Sequence, residues 1–184
     1  MMSMLAKVEN LIIKKSNSNF LIALFAVIYF TSQIIIGSIL HKLGTLNALA
    51  LQTTMCSEKF KTIASGWIAS AEIAGYYRHF YFDYFHPVWY SIFLSLLIAR
   101  AFKINNVNPK FNWVVLTPFV AAICDYFENT MHLYFLADLN RATPLLVALS
   151  GLATNTKWAL AALGVIVVTV LSGIWLVKFI LKKK

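Results

Sequence analysis

The sequence predicts an all-α membrane protein: a four-helix transmembrane bundle within one membrane domain covering residues 1–184. Two observations carry this. Of 184 residues, 60% are hydrophobic and only 12% are charged, about half the charge fraction of a soluble domain. The mean hydropathy is +0.72, and the apolar residues are gathered into runs whose ends carry the lysines.

Four runs are long enough for a hydrocarbon core of about 30 Å, which takes about 20 helical residues. They cover about 20–40, 85–102, 113–136 and 156–177. Lys14 and Lys15 precede the first run in the manner of a signal peptide. Its apolar core is too long for one, and Ala48-Leu49-Ala50 lies too far downstream to be a cleavage site, so the run is read as a span. Between the first two runs, Trp67 to Tyr76 reads as an outer amphipathic helix that continues into span two, with a kink at Pro87. Tyr76, Tyr77, Phe80, Tyr81, Phe82, Tyr84, Phe85, Trp89 and Tyr90 form an aromatic belt of the kind that anchors chains at a membrane surface, or that lines an apolar pocket. Pro144–Ala153 adds a helical turn or two before span four.

The net charge of +9 does not indicate nucleic acid, because the positive residues sit at the ends of apolar runs. Lys7, Lys14 and Lys15 precede span one. Arg100, Lys103 and Lys110 flank the link between spans two and three, and Lys178, Lys182, Lys183 and Lys184 follow span four. With four spans these groups share one side, which the positive-inside rule makes the cytoplasm. The expected arrangement has both termini cytoplasmic, in a bacterial inner membrane. Two cysteines do not make a disulfide framework, and with Cys56 in a connecting segment and Cys124 in a span both read as free thiols.

The third run is interrupted at Asp125, Glu128, Asn129 and His132, which fall within about 100° of arc on one helical face. A charge at the centre of a spanning helix costs roughly 2.5–3.5 kcal/mol on insertion scales, so such residues mark a function or an internal pairing. His79, Asp83, His86 and Tyr90 are spaced 4, 3 and 4 residues apart on another stripe. Counting depth along alternating spans brings Tyr29, Gln33, Asn155, Thr156 and Lys157 to the same outer level. Lys157 reads either as a snorkelling lysine or as the partner of a carboxylate. Gln33 reads as a helix–helix hydrogen bond or as a ligand contact. The candidate ligand- or ion-binding set is thus Asp83, Asp125, Glu128, Asn129, Lys157, Tyr90 and Gln33.

Asp83 with Pro87 and Tyr90, Asp125-x-x-Glu128-Asn129, and Thr156-Lys157-Trp158 together resemble a group of small four-span bacterial integral membrane proteins. The resemblance covers about residues 76–175. It implies the topology and the acidic site with Lys157, not an activity, and it does not include the histidines.

Three functions fit these residues. The first is binding or translocation of a proton, a cation or a small amphiphile, with homo-oligomerisation expected of so thin a bundle. The second is a membrane-embedded enzyme that modifies lipids through the carboxylates, with or without metal. His79, His86 and His132 are the candidate ligands, and zinc or iron the metals such donors hold. Each of these histidines also reads as an interfacial hydrogen-bonding group, which places metal second. The third is an accessory subunit of a larger membrane complex, with the polar residues locking the helices.

The orientation is directly testable. An impermeant maleimide applied to intact cells should label Cys56 and spare a cysteine placed at position 110; the reverse pattern means an inverted protein.

Overall fold

The computed structural model describes residues 4–182, so the expected cytoplasmic charges Lys183 and Lys184 lie outside the described residues. These residues are mostly helical, without strands. The eight α-helices are α1 (Met4–Lys15), α2 (Asn19–His41), α3 (Thr45–Thr53), α4 (Ser57–Ala69), α5 (Ile73–Asp83), α6 (His86–Asn105), α7 (Thr117–Ala137) and α8 (Pro144–Leu181).

Several boundaries have a local cause. Ser18 caps α2, its Oγ accepting from the Leu21 amide at 3.2 Å, and the Thr143–Pro144 pair starts α8 with a capping hydroxyl and a fixed φ. Asn106 ends α6 in the left-handed conformation, which asparagine tolerates better than most residues. Gly44 takes φ 78° between α2 and α3, a turn that favours glycine.

Three helices, α2, α6 and α8, are long and apolar enough to cross a membrane. The sequence suggested four. The third expected run begins as a 3-10 segment, Pro109–Leu116, and becomes α-helical only at Thr117. With 21 residues α7 is long enough, but the polar residues on its buried face lower its overall hydropathy. The fourth run is longer than expected, because Pro144–Ala153 is not a separate turn. It is the start of one 38-residue helix, about 57 Å long at 1.5 Å per residue.

Two further expectations are corrected. Trp67–Tyr76 is not one helix: α4 stops at Ala69, and Ala71 adopts φ 60° before α5 begins. The Tyr76–Tyr90 segment is broken at Tyr84–Phe85 instead of being kinked at Pro87, because Pro87 occupies the first turn of α6, where its missing N–H has no helical acceptor to lose. The aromatic belt is two-sided, with Tyr76 and Phe80 buried while Tyr77, Tyr81, Phe82 and Phe85 are exposed.

Side-chain pairings set the helix directions. Asn19 meets Arg100 and Ser32 meets His86, so α2 and α6 are antiparallel. Tyr84 meets Thr130 just before α6, and Val115, just before α7, packs with Phe102 at the far end of α6, so α6 and α7 are antiparallel. Val147 packs with Phe135 near the start of α8, and Lys157 meets Asp125 further on, so α7 and α8 are antiparallel as well. The start of α2, the end of α6, the start of α7 and the end of α8 therefore share one end of the array. There Arg100 donates to the Ser16 carbonyl and the Asn19 side chain, and Lys103 donates to Asn17.

Two apolar clusters fill the interior. One joins α3, α4 and α5 to the far ends of α7 and α8, with Leu51, Phe60, Trp67, Tyr76 and Phe135 at its centre. The other surrounds Leu94, Ile98, Phe102 and Val115 near the basic end. The polar residues of α7 and α8 lie between these clusters, and α3–α5 form a lid of short helices over that polar layer.

Close approach at α8 relies on two glycines. A Cβ at Gly151 would collide with the Thr54 carbonyl, and one at Gly164 would lie 2.7 Å from Leu94 Cδ2. Gly151→Ala should thus destabilise the protein by about 1–3 kcal/mol, since backbone must shift. Gly37→Ala, with open space around it, should be neutral or stabilising by up to about 1 kcal/mol. Thermal unfolding of both variants in detergent checks the contrast, and equal shifts would contradict the packing.

Candidate functional site

The site is built around an ion triad. Asp125 and Glu128 are three residues apart, so both carboxylates leave α7 on the side that faces α8. Lys157 on α8 donates from Nζ to Asp125 Oδ1 at 3.0 Å and to Glu128 Oε2 at 2.5 Å. Asp125, Glu128 and Lys157 are 3%, 0% and 7% exposed, so Lys157 is a buried partner of the carboxylates and not a snorkelling lysine.

Asp83, at the end of α5, lies beside this triad and is 7% exposed. Asn129 donates from Nδ2 to the Asp83 main-chain carbonyl at 3.2 Å, tying α7 to the α5–α6 break. Behind Asp83 stands His79, whose Nε2 is 3.8 Å from Asp83 Oδ2. His79 Nδ1 makes a short hydrogen bond to the Tyr76 carbonyl. A carbonyl only accepts, so Nδ1 carries the proton and the neutral ring turns its Nε2 lone pair toward Asp83. Burial pushes the His79 pKa down to about 4.

The structure separates the three histidines. His132 is fully buried and hydrogen-bonded through Nδ1 to the Tyr76 hydroxyl at 2.9 Å. His86 is bonded to Ser32 Oγ on α2 at 2.7 Å and stacks on Tyr29. Among the described residues no three of His, Cys, Asp and Glu are arranged to hold a metal ion. Asn155 is engaged elsewhere, donating to the Thr53 and Gly151 carbonyls.

A cavity of about 440 Å³ opens beside the triad. Asp83, His86, Tyr90, Asp125, Lys157 and Gln33 line it, six of the ten residues singled out from the sequence as ligands for an ion, an organic ligand or a metal. The Tyr90 hydroxyl lies beside Asp125 but outside hydrogen-bond geometry. The stripe 79–83–86–90 thus divides: Asp83, His86 and Tyr90 reach the cavity, whereas His79 backs Asp83. The remaining walls are largely apolar, with Phe30, Ile36 and Leu40 from α2, Phe93, Leu94 and Leu97 from α6, and Trp158, Ala161 and Val165 from α8. Both α2 and α8 pack on α6 but make no extensive contact with each other. The cavity is therefore a groove with α6 as its floor.

Sequence reasoning missed Tyr76 and Gln52. Tyr76 was assigned to the aromatic belt, although its spacing of 3 and 7 residues from His79 and Asp83 already placed it on their stripe. Gln52 reaches the groove from the lid, and nothing in the sequence marks it.

The chain matches no protein-family model, no curated protein and no solved structure.

Two predictions follow from this geometry. Lys157→Met should destabilise by about 3–5 kcal/mol, because it strands two buried carboxylates. In an Asp125→Asn/Glu128→Gln background the same change should cost much less, and additive thermal shifts would refute the triad. Second, His79 is protonated in the unfolded chain below about pH 6.5 and in the fold only near pH 4. Between those values the unfolded state binds more protons, so the contribution of His79 is complete above the window and is lost as pH falls through it. A pH series of unfolding should show a shallower acid loss in His79→Gln; an unchanged slope would count against a buried neutral imidazole.

Proposed function

We propose that this is an integral membrane protein that binds a small amphiphile in the groove between α2 and α8, with the polar head at Asp83, Asp125 and Lys157. In this reading α7 is the fourth spanning helix, its polar face covered by α5, α6 and α8 and its exposed Val120, Ile123 and Phe127 facing lipid. The basic end of the array is cytoplasmic, which puts both termini inside and the lid of α3–α5 outside. The likeness to small four-span bacterial membrane proteins belongs to this proposal, as does a bacterial inner-membrane location.

One observation carries the binding reading. The groove has a charged end and a long apolar remainder, and its volume of about 440 Å³ lies within the range of pockets that hold small ligands. A site for a proton or a bare cation has no use for the apolar length along Phe93, Leu97, Ala161 and Val165. Acid–base chemistry on the bound amphiphile is a second reading, favoured by Asp83 facing the groove with His79 behind it.

Protein purified in a mild detergent should retain an extractable amphiphile, seen by native mass spectrometry. Ala161→Trp, which fills the groove, should abolish retention, whereas Val170→Trp, at an exposed position of α8 outside the groove lining, should not. Equal retention by both variants would remove the groove as the binding site.

A further inference from the structure

We propose that the groove selects an amphiphile whose head is a positively charged amine; this rests on the amphiphile reading above and specifies its ligand class. The first observation is a charge imbalance. Asp83, Asp125 and Glu128 are all at least nine-tenths buried, and among the described residues Lys157 is the one ammonium paired with any of them. His79 does not close the gap. Its Nδ1 proton is committed to the Tyr76 carbonyl, and its bare Nε2 faces an Asp83 oxygen. A single proton taken up anywhere among the three acids would neutralise just one carboxylate. Two carboxylates then remain for one lysine, an excess of one negative charge among side chains that are almost fully buried.

The second observation is where the excess points. Lys157 uses Asp125 Oδ1 and Glu128 Oε2, and Glu128 is not among the groove-lining residues. The acidic groups that face the groove are Asp83 and Asp125. The Asp83 carboxylate has no closer ionic partner than His79 Nε2 at 3.8 Å. Two acceptors are thus presented to the occupant.

The third observation is aromatic. Tyr29, Phe30, Tyr90, Phe93 and Trp158 line the same groove. Tyr29 stacks on His86 with centroids 5.4 Å apart and on Phe93 at 5.5 Å, which gathers aromatic rings beside the acids. Ring faces attract cations, organic ammonium groups in particular, and a low-dielectric setting strengthens the attraction. A bare inorganic ion would need several more oxygen ligands than two carboxylates, whereas an ammonium donates hydrogen bonds to the acids and gains contact with the rings. An anionic head meets the reverse: two carboxylates face it, and the nearby lysine is already engaged twice.

The experiment uses the full-length protein in zwitterionic liposomes and three amphiphiles with one photoreactive alkyl chain, ending in a primary amine, an alcohol or a carboxylate. All are added at the same mole fraction, and cross-linked residues are mapped by mass spectrometry. The amine should label groove residues roughly ten-fold more than the alcohol, with the carboxylate lowest. Asp83→Asn should narrow the amine preference; if that variant does not fold, the wild-type head series decides alone. Groove labelling that is equal for all three heads, or highest for the carboxylate, would overturn the cationic head while leaving an amphiphile site. No groove labelling by any of them would remove the amphiphile reading itself. Displacement of the amine probe by methylammonium or potassium as readily as by an unlabelled long-chain amine would make this a small-cation site and overturn the proposal.

Discussion

The Lys157 ammonium between Asp125 and Glu128 is the constraint on which the rest of the arrangement depends. Two carboxylates one turn apart on α7 meet one cation on α8, so both the rotation of α7 and its height against α8 are set at once. That rotation turns Asn129 to the Asp83 carbonyl and His132 to Tyr76, and leaves Ile123 and Phe127 exposed on the opposite side. Net stabilisation by such a triad is small, because desolvating three charges offsets most of their attraction. Its effect is on specificity: any other register strands charge in an apolar interior at a cost of several kcal/mol.

The triad is tolerable because of what surrounds it. Apolar clusters close the polar layer on both sides along the helix axes, and the short helices α3–α5 cover its far end. The lid is more than a cover, since Tyr76 supplies the partner of His132 and the carbonyl that fixes the tautomer of His79. Gly151 lets α8 approach the Thr54 carbonyl closely enough for the lid to seat. The network is not fully satisfied among the described residues, since Glu128 Oε1 and Asn129 Oδ1 have no hydrogen-bond partner, but the helices that carry these residues are packed on several neighbours.

The polar layer was legible in the sequence because charged residues inside apolar runs stand out, and counting depth along alternating helices brings them to one level. Asp83, Asp125, Glu128 and Lys157 were found that way. Whether Lys157 pairs or snorkels was not legible, since both outcomes place the same residue at the same height; packing of α8 on α7 decides it. The breaks at Ser70–Glu72 and Tyr84–Phe85 were also hidden. No Gly or Pro sits at either break, and helical periodicity continues through both. The pairing of Tyr76 with His132 joins residues 56 apart and has no local signal. Least legible was the groove, which exists because α2 and α8 both rest on α6 without closing on each other. The lack of an extensive contact between two apolar helices leaves no trace in either sequence.

That open side bears on where selectivity resides. Both α2 and α8 have few fully buried residues along their most apolar stretches, so in a membrane their outer faces meet lipid chains. Under the proposed amphiphile reading, any chain, whether from a bilayer lipid or a smaller amphiphile, would occupy the apolar length of the groove with similar gain, because the surroundings it leaves are equally apolar. Burial of the tail therefore discriminates little between occupants. Discrimination falls to the short polar end, where Asp83 and Asp125 face the groove and Lys157 is already engaged by two carboxylates. There a mismatched head leaves desolvated charge without a partner, and that penalty is far larger than the differences among tails.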